Sequence, residues 1–500
     1  GLNSWTATYN ALGLMASLQD TAGGSWSYTY SGVDLTNVSD ITGTLWTLSY
    51  TDSNNPHSPT TLTNAVSKTW NLSYNQTGQI LTVTPPTGSP TGADSYTYEE
   101  NVISPNFGYL KTITNGAGNL TQFNSYTAMG DVTSLSTFPA TGVTNTFQFT
   151  YDAAQRLTQF RHPDNKLYTL NYTGRDLTST ADEAGTLNQL DYCAVCGKQT
   201  SWDGPLTKAL DWGLDGDHDL TSFTDARTNT TNYVYSTAKA VTRVGHPTAI
   251  NYDFLYDTRG RLSVFENGRN QDHIFSYDGA DRISSINLPA PDPDQTYTWN
   301  PDGTLQQMTD NGGTTSYTYR PNKYLQQVTY NYALSGLTPA QTVEYSYNND
   351  DTLNTTTWKS AGVTVAYWSY SYDGAGRMSS VSNSFGEVTS YSYDGEGKLL
   401  QTSHANGTQQ RYSYNQARGW PTSISCRPCL LANLSAGEEL ITPMESDGPP
   451  WNQDICDPPF ASWNLTYDKG AAELRDRTAK RMTLEQISEA QRMAREWKKK

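Results

Sequence analysis

The stretch Tyr372-Asp373-Gly374-Ala375-Gly376-Arg377-Met378 is a clear copy of a motif that recurs along most of the chain. The pattern returns from Tyr393 to Leu399, and intervals of 20 to 22 residues separate most neighbouring copies. A fixed period in this range is typical of a repeat architecture. Further copies, strict or loose, begin at Tyr9, Tyr30, Tyr74, Tyr126, Tyr151, Tyr172, Tyr256, Tyr277, Trp299, Tyr319, Tyr347 and Tyr414.

Each copy predicts a β-hairpin. The residues before the turn alternate, as in Tyr391-Ser392-Tyr393, which indicates a strand. Asp opens the turn because its side chain can bond the backbone two residues on, and Gly three residues later supplies a positive φ. A second turn, such as 383–386, completes a two-strand repeat. The stacked hairpins predict one long antiparallel sheet, and a sheet of this length curls or closes, which also protects its edges. We therefore expect a spiral, tube or shell.

The Tyr-Asp-x-x-Gly-Arg-Leu pattern resembles the YD repeat of bacterial Rhs proteins, of insecticidal toxin-complex shell components and of animal teneurins. The resemblance covers residues 1–424. It implies a β-strand spiral that forms a hollow cocoon. In the bacterial members such a cocoon encloses a C-terminal toxin, whereas in teneurins it serves adhesion at the cell surface. The Asp-Pro self-cleavage motif that bacterial members carry before the toxin is not found in this chain.

Composition narrows the possible functions. The chain of 500 residues has a net charge of −16 and is 35% hydrophobic, with 34 tyrosines. Tyrosine-rich strands with few aliphatic residues suit a sheet whose two faces are both partly wet. The acidic charge argues against a nucleic-acid partner, since phosphate binding needs clustered cations. No run of 18 apolar residues occurs, so no membrane-spanning helix is predicted.

Two cysteine pairs are the first candidates for chemistry. Cys193 and Cys196 have the spacing of half a zinc site, a redox pair or a local disulfide, and they also stand where a repeat turn is due. A turn role is the main interpretation and a metal site the alternative. Cys426 and Cys429 form a second pair, and Cys456 leaves an odd thiol.

An acidic stretch is the second candidate. Asp215, Asp217 and Asp219 alternate like the start of a calcium loop, whose carboxylates bind a hard cation. The stretch departs from the EF-hand pattern because Leu220 stands at position six and Ala226 at position twelve. An acidic turn is therefore the preferred interpretation.

No catalytic constellation emerges from the sequence. The six histidines are scattered, and neither a Gly-x-Ser-x-Gly elbow nor a phosphate-binding Gly-rich loop occurs. Most aspartates stand at the turn-opening position, where a bond to the backbone explains them. We expect no enzyme activity, no catalytic residue and no cofactor in the repeat region, and an enzyme in the C-terminal residues is the least favoured alternative.

The C-terminal part differs from the repeats. Residues 425–465 are rich in Pro and Cys and predict an irregular linker, and residues 466–500 predict a helical tail. Thr483 and Gln486 form a capping box, and Ile487, Ala490 and Ala494 recur at helical spacing. Residues 470–498 resemble the closing helices of Sel1-like repeat proteins. The chain also opens inside a repeat, which indicates a piece of a longer protein.

Two functions follow as hypotheses. The leading one is a non-enzymatic, secreted or surface-exposed bacterial Rhs-like scaffold that encapsulates or presents a toxin domain absent from this chain. Its partners would be that toxin cargo or other shell components. The alternative is an adhesion or carbohydrate-binding module that binds cell-surface glycans. In that case sugars would stack on exposed aromatic side chains, with Trp5, Trp26, Trp46 and Trp70 as the candidates.

Overall fold

The computed structural model describes residues 5–20, 23–204, 208–332, 340–415 and 419–427. Regular structure within these ranges consists of 38 β-strands. The same ranges contain no helix of the length and hydrophobicity needed to cross a bilayer. The predicted helical tail at 466–500, and all but the first three residues of the predicted linker at 425–465, lie outside the described residues.

The strands are short and follow one another with only turns and loops between them. The first nineteen are β1 (Thr6–Tyr9), β2 (Met15–Gln19), β3 (Ser25–Ser31), β4 (Asp34–Asp40), β5 (Gly43–Ser49), β6 (Thr61–Asn64), β7 (Thr69–Tyr74), β8 (Ile80–Thr84), β9 (Asp94–Tyr98), β10 (Leu110–Thr114), β11 (Leu120–Tyr126), β12 (Val132–Ala140), β13 (Val143–Tyr151), β14 (Leu157–Arg161), β15 (Leu167–Thr173), β16 (Asp176–Asp182), β17 (Gly185–Tyr192), β18 (Gln199–Gly204) and β19 (Lys208–Leu214). The others are β20 (Leu220–Thr224), β21 (Thr230–Tyr235), β22 (Val241–Gly245), β23 (Asn251–Tyr256), β24 (Leu262–Glu266), β25 (Asp272–Tyr277), β26 (Ile283–Asn287), β27 (Gln295–Trp299), β28 (Leu305–Asp310), β29 (Gly313–Tyr319), β30 (Leu325–Tyr332), β31 (Gln341–Tyr347), β32 (Leu353–Ser360), β33 (Val363–Tyr372), β34 (Met378–Asn383), β35 (Val388–Tyr393), β36 (Leu399–Ser403), β37 (Gln409–Tyr414) and β38 (Pro421–Arg427).

The strands form one continuous antiparallel meander. Each strand pairs with the next one along the chain, from β1 with β2 to β37 with β38. Strand edges are therefore open only at the two ends of the described ladder, and an open edge is where a sheet risks pairing with another chain. The meander confirms the predicted all-β fold built of tandem hairpins.

The sheet has few buried apolar side chains. Among the described residues, the buried hydrophobic ones are Ile286, Val328 and Ala366. Most other strand residues are partly exposed. A chain of this kind gains less from a thick core than from many repeated hydrogen bonds and aromatic contacts along the sheet.

The repeat turn at residue 373 is built around its aspartate. One carboxylate oxygen of Asp373 accepts hydrogen bonds from the backbone N–H groups of Ala375 and Arg377, both at 3.0 Å. Its other oxygen accepts from the Nε of Arg377 at 2.7 Å. Gly376 has a φ of 76°, as the predicted turn requires. The same carboxylate bonds recur at Asp152, Asp257 and Asp278.

The arginine and the tyrosine of the motif join neighbouring repeats. The guanidinium of Arg377 donates to the carbonyl oxygen of Asp394 at 3.2 Å and lies 4.7 Å from the ring centre of Tyr393. The hydroxyl of Tyr393 donates back to the carbonyl oxygen of Met378 at 2.8 Å. Together these two side chains form a joint between neighbouring repeats. Similar cation–ring contacts occur at Arg156, Arg261, Arg282, Arg320 and Lys398.

Turns far apart in sequence also meet. We call the contacts between residues 40–145 and residues 323–396 the seam. Seam partners are separated by 251 to 287 residues, so the ribbon of strands returns to lie against an earlier part of itself. Side-chain hydrogen bonds of 2.6–2.7 Å across the seam join Asn64 to Asp351, Lys68 to Asn349, Thr91 to Asp350 and Asn145 to Glu396.

Backbone groups approach closely at the seam. The N–H of Gly92 donates to the carbonyl oxygen of Gly374 at 2.8 Å, and the N–H of Gly395 donates to that of Pro139 at 2.9 Å. A Cβ on Gly116 would lie 2.2 Å from the Gly374 oxygen, which leaves no room for a side chain. The glycine of the Tyr-Asp-Gly turn is thus a backbone docking point at Gly374 and Gly395.

A buried seam carboxylate predicts an unusual pH dependence. The side chain of Asp351 is only 8% exposed, and it accepts hydrogen bonds from Asn64 at 2.7 Å and Asn322 at 3.0 Å. Burial raises the pKa of Asp351, and Arg320 and the two amides offset this only in part. A raised pKa in the folded state means that the protonated form is favoured there, so stability is lost as the pH rises through that pKa.

We expect Asp351→Asn to stabilise the protein at pH 7 by about 1 kcal/mol, because burial of this carboxylate outweighs its attraction to Arg320, which keeps its contact with the ring of Tyr347. The oxygen of the new Asn can accept from Asn64, and its amide can donate to Asn322 if the side-chain amide of Asn322 turns over. Asn also tolerates the φ of 64° at this position. Urea unfolding at pH 7 and pH 3 measures the difference, which should vanish at pH 3 where the wild-type carboxyl is protonated. A variant that is less stable than the wild type at both pH values would contradict the prediction.

Candidate functional site

The first candidate pair lies in the turn between β17 and β18. The N–H of Cys193 donates to the carbonyl oxygen of Lys198 at 2.8 Å, and the N–H of Gly197 donates to that of Cys193 at 2.9 Å. The N–H of Cys196 donates to the Sγ of Cys193 at 3.3 Å. The thiol of Cys193 thus stands in for the turn-opening carboxylate of the other repeats. Both cysteines are half-buried thiols, with no disulfide between them.

The acidic candidates lie in the turn between β19 and β20. One carboxylate oxygen of Asp215 accepts from the N–H groups of Asp217 at 2.9 Å and Asp219 at 2.8 Å. Asp215 therefore has the same role as the aspartate of the repeat turn. This contact is the acidic turn that the sequence favours.

A lysine of the following repeat lies between the other two carboxylates. The Nζ of Lys239 is 2.6 Å from Asp217 and 2.8 Å from Asp219. Its hydrogen bonds lower the pKa of Asp217, and both carboxylates raise the pKa of Lys239. The ammonium group occupies the position that a calcium ion between these carboxylates would need, so this geometry gives the calcium alternative no support.

The two turns are neighbours, and a histidine joins them. The Nδ1 of His218 lies 4.0 Å from the Sγ of Cys193, and the ligand atoms of Cys193, Cys196 and His218 all lie within 4.8 Å of one another. Lys198 donates to the carbonyl oxygen of His218 at 2.5 Å, which ties the histidine turn to the cysteine turn. Hydrogen bonds from Cys196, and then from the N–H groups of Val195 and Gly197, hold the pKa of the Cys193 thiol below its ordinary value.

His218 was not predicted as a possible metal ligand, because the six histidines are scattered along the sequence. The repeat period could have identified this histidine. Because equivalent turns of neighbouring repeats lie side by side, a histidine about one period after Cys193 comes close to its thiol. This cluster contains two of the five residues that the sequence proposes for a metal. Cys426 lies in β38 and is exposed, whereas Cys429 and Cys456 lie outside the described residues.

The tryptophans proposed for sugar stacking form two pairs. The rings of Trp5 and Trp26 are 5.6 Å apart, and those of Trp46 and Trp70 are 5.8 Å apart. Trp5 is 53% exposed and Trp46 is 38% exposed. In each pair, one ring (Trp5 or Trp46) is exposed to solvent and packs against the other ring (Trp26 or Trp70).

Comparison with known proteins agrees with the repeat. Residues 372–409 match the family model described as RHS Repeat. No curated protein matches the chain. Among solved structures, the chain is similar to TcdB2-TccC3-TEV, with 12% identity, a TM-score of 0.45 and coverage of 83% of this chain and 27% of that one.

Two further solved structures are similar at the same level. The TcdB2-TccC3-Cdc42 structure has 13% identity, a TM-score of 0.43 and coverage of 84% of this chain and 22% of that one. The Tc holotoxin pore of Photorhabdus luminescens, with a mutation in TccC3, has 13% identity, a TM-score of 0.45 and coverage of 82% and 25%. The chain thus spans about a quarter of the length of these structures. With a matched unit at 372–409, the chain carries the RHS repeat that its recurrent Tyr-Asp turns predict.

Proposed function

We propose that the chain is a non-enzymatic wall segment of an Rhs-like bacterial shell, secreted or exposed at the cell surface. The shell would enclose or present a toxin domain that this chain does not contain. Its partners would be that toxin cargo and the remaining shell components. The proposal extends the resemblance carried by the Tyr-Asp repeats to the biological role of the bacterial members.

The seam is the observation that carries the proposal. A meander in which each strand pairs with the next is a continuous surface, and the seam joins its turns to turns 251 to 287 residues away. A wall needs both properties, because gaps between strands or between layers would admit water and proteases. A binding domain with a single recognition surface would need neither.

The charge of the chain is a second, weaker support. The net charge of −16 favours solubility and attracts basic partners. An acidic wall would therefore suit a basic cargo better than an acidic one.

Negative-stain electron microscopy of the purified 500-residue chain tests the wall directly. We expect class averages of a curved wall, one sheet thick, around a stain-filled space. A flat ribbon, or a particle without internal stain, would contradict the proposal. As a second arm, the same protein co-expressed with the downstream coding region should show density within that space.

The exposed tryptophans favour carbohydrate binding as a second candidate. Aromatic rings offered to solvent provide apolar faces on which sugar rings can stack. A glycan array with the whole chain tests this idea, and Trp5→Ala and Trp46→Ala should each reduce any signal at least about tenfold. Trp420→Ala is the control, because Trp420 is also exposed, at 58%, but lies near β38. An array without signal would reject the candidate.

A further inference from the structure

One joint between repeats has a leucine, Leu214, at the position of the motif tyrosine, and keeps the bond from its motif cation to the next turn, from Lys198 to the carbonyl oxygen of His218. The register irregularity that precedes the motif tyrosine in other repeats, such as Tyr256, here precedes Leu214. Leucine has no hydroxyl to donate to the previous repeat and no aromatic ring for the motif cation, which in this joint is Lys198. The tyrosine-to-carbonyl bond and the cation–ring contact are therefore missing between the turn at Cys193 and the turn at Asp215.

The cluster of Cys193, Cys196 and His218 lies at that joint. Cys193 and Cys196 come from one turn and His218 from the next, so the three side chains span the two repeats. We propose that these three residues bind a thiophilic divalent cation, Zn²⁺ above all, which clips the two repeats together where the tyrosine joint is absent.

The distances fit such an ion. Zinc bonds of about 2.3 Å to sulfur and about 2.0 Å to nitrogen in a tetrahedron place the ligand atoms about 3.5–3.8 Å apart. The Sγ of Cys193 is already 4.0 Å from the Nδ1 of His218, and all three ligand atoms lie within 4.8 Å of one another. Movements of less than about 1 Å, within the reach of side-chain rotation, would complete the geometry.

The surrounding bonds hold the ligands in place. The N–H of Cys196 donates to the sulfur of Cys193 at 3.3 Å, a bond that a metal thiolate accepts as well as a thiol does. The N–H of His218 donates to the carbonyl oxygen of Asp215 at 3.0 Å and fixes the histidine turn. Two sulfurs and one imidazole nitrogen select zinc rather than calcium or magnesium, which prefer oxygen. Water would fill the fourth position.

Cobalt substitution tests the site in the full 500-residue chain, reduced and stripped of metal with a chelator. We expect one Co²⁺ per chain, with a thiolate-to-cobalt charge-transfer band that added Zn²⁺ abolishes. Cys193→Ser and Cys196→Ser should lose the band, and His218→Asn should weaken binding at least about tenfold. Asn is chosen because His218 has a φ of 66°, which Asn tolerates. Cys426→Ser is the matched control and should keep the band.

Alkylation of the wild-type protein gives a second measurement that needs no variant. Zinc should slow the reaction of Cys193 and Cys196 with iodoacetamide, read by peptide mass spectrometry, and leave Cys426 unaffected. Absence of the cobalt band, loss of the band in Cys426→Ser alone, or a Cys193–Cys196 disulfide that forms in the presence of zinc would overturn the proposal.

Discussion

Replacing Lys323 with Met is expected to lower the free energy of unfolding by about 3 kcal/mol. Lys323 lies in the turn between β29 and β30, and its Nζ is 2.8 Å from Asp40 and 2.6 Å from Asp302. It also donates to the hydroxyl of Thr42 at 2.6 Å, across the seam. The side chains of Asp40 and Asp302 are only 4% and 8% exposed, so the variant would leave two buried carboxylates without their shared cation.

The pKa shifts at this site give the pH dependence. Burial, the largest single effect, would raise the pKa of Asp40 and of Asp302. The hydrogen bond and the charge of Lys323, together with bonds from Thr42 to Asp40 and from Thr304 to Asp302, outweigh burial, and both pKa values lie below the ordinary value. A lowered folded-state pKa gives stability that is present above the unfolded pKa and is lost as the pH falls through the folded one. The difference between wild type and Lys323→Met should therefore be full at pH 7 and shrink below about pH 4.

Lys239→Met is the matched control for this experiment. Lys239 also bridges two carboxylates, and its φ of 64° is close to the 68° of Lys323, so Met adds the same backbone strain at both sites. Lys239 is 49% exposed, however, and its partner Asp217 is 74% exposed. Exposed ion pairs contribute about 0–1 kcal/mol. Urea unfolding at pH 7 that shows equal losses for the two variants would contradict the importance of the seam.

Gly374→Ala is expected to destabilise the protein by about 3 kcal/mol, from a steric clash and the strain or loss of one hydrogen bond. A Cβ on Gly374 would lie 2.3 Å from the carbonyl oxygen of Gly116 and 3.0 Å from the Cα of Ala117. Both are backbone atoms, so relief requires the two layers of the seam to separate. That movement would also strain the bond from Gly92 to the oxygen of Gly374.

Gly279→Ala is the control that isolates the seam. Gly279 has the same place in its Tyr-Asp-Gly-Ala turn as Gly374, and its added Cβ would meet no atom within 4 Å. Neither glycine has a positive φ, so alanine fits the backbone at both positions. We expect Gly279→Ala to change stability by no more than about 0.5 kcal/mol. Equal stability of the two variants in urea unfolding would contradict the docking of Gly374 at the seam.

The local fold could be predicted from the sequence because its causes are local. Asp373 and Gly376 occupy a turn of five residues, and the alternation before Tyr372 fixes which side chains share a face. The role of Arg377 was not predicted, because its hydrogen-bond partner in the next repeat, the carbonyl oxygen of Asp394, lies 17 residues away.

The seam could not be predicted in this way. Gly374 and Gly279 each follow a Tyr-Asp dipeptide, yet of the two only Gly374 packs against a turn from a distant repeat. The difference arises from the curvature that accumulates over some 250 residues, to which each repeat adds a small part. The candidate site was predictable in part. The spacing of Cys193 and Cys196 identifies them as a pair, whereas His218 comes close to them only because neighbouring turns lie side by side in the fold.

Hydrogen exchange at the amides of Gly92 and Gly395 measures whether the seam forms in solution. These N–H groups donate across the seam, to the carbonyl oxygens of Gly374 and Pro139. If the ribbon returns to lie on itself, both amides exchange at least about tenfold more slowly than in an unstructured peptide of the same sequence. Exchange at the unstructured rate, with the strand amides on either side still protected, would mean that the sheet forms without the seam.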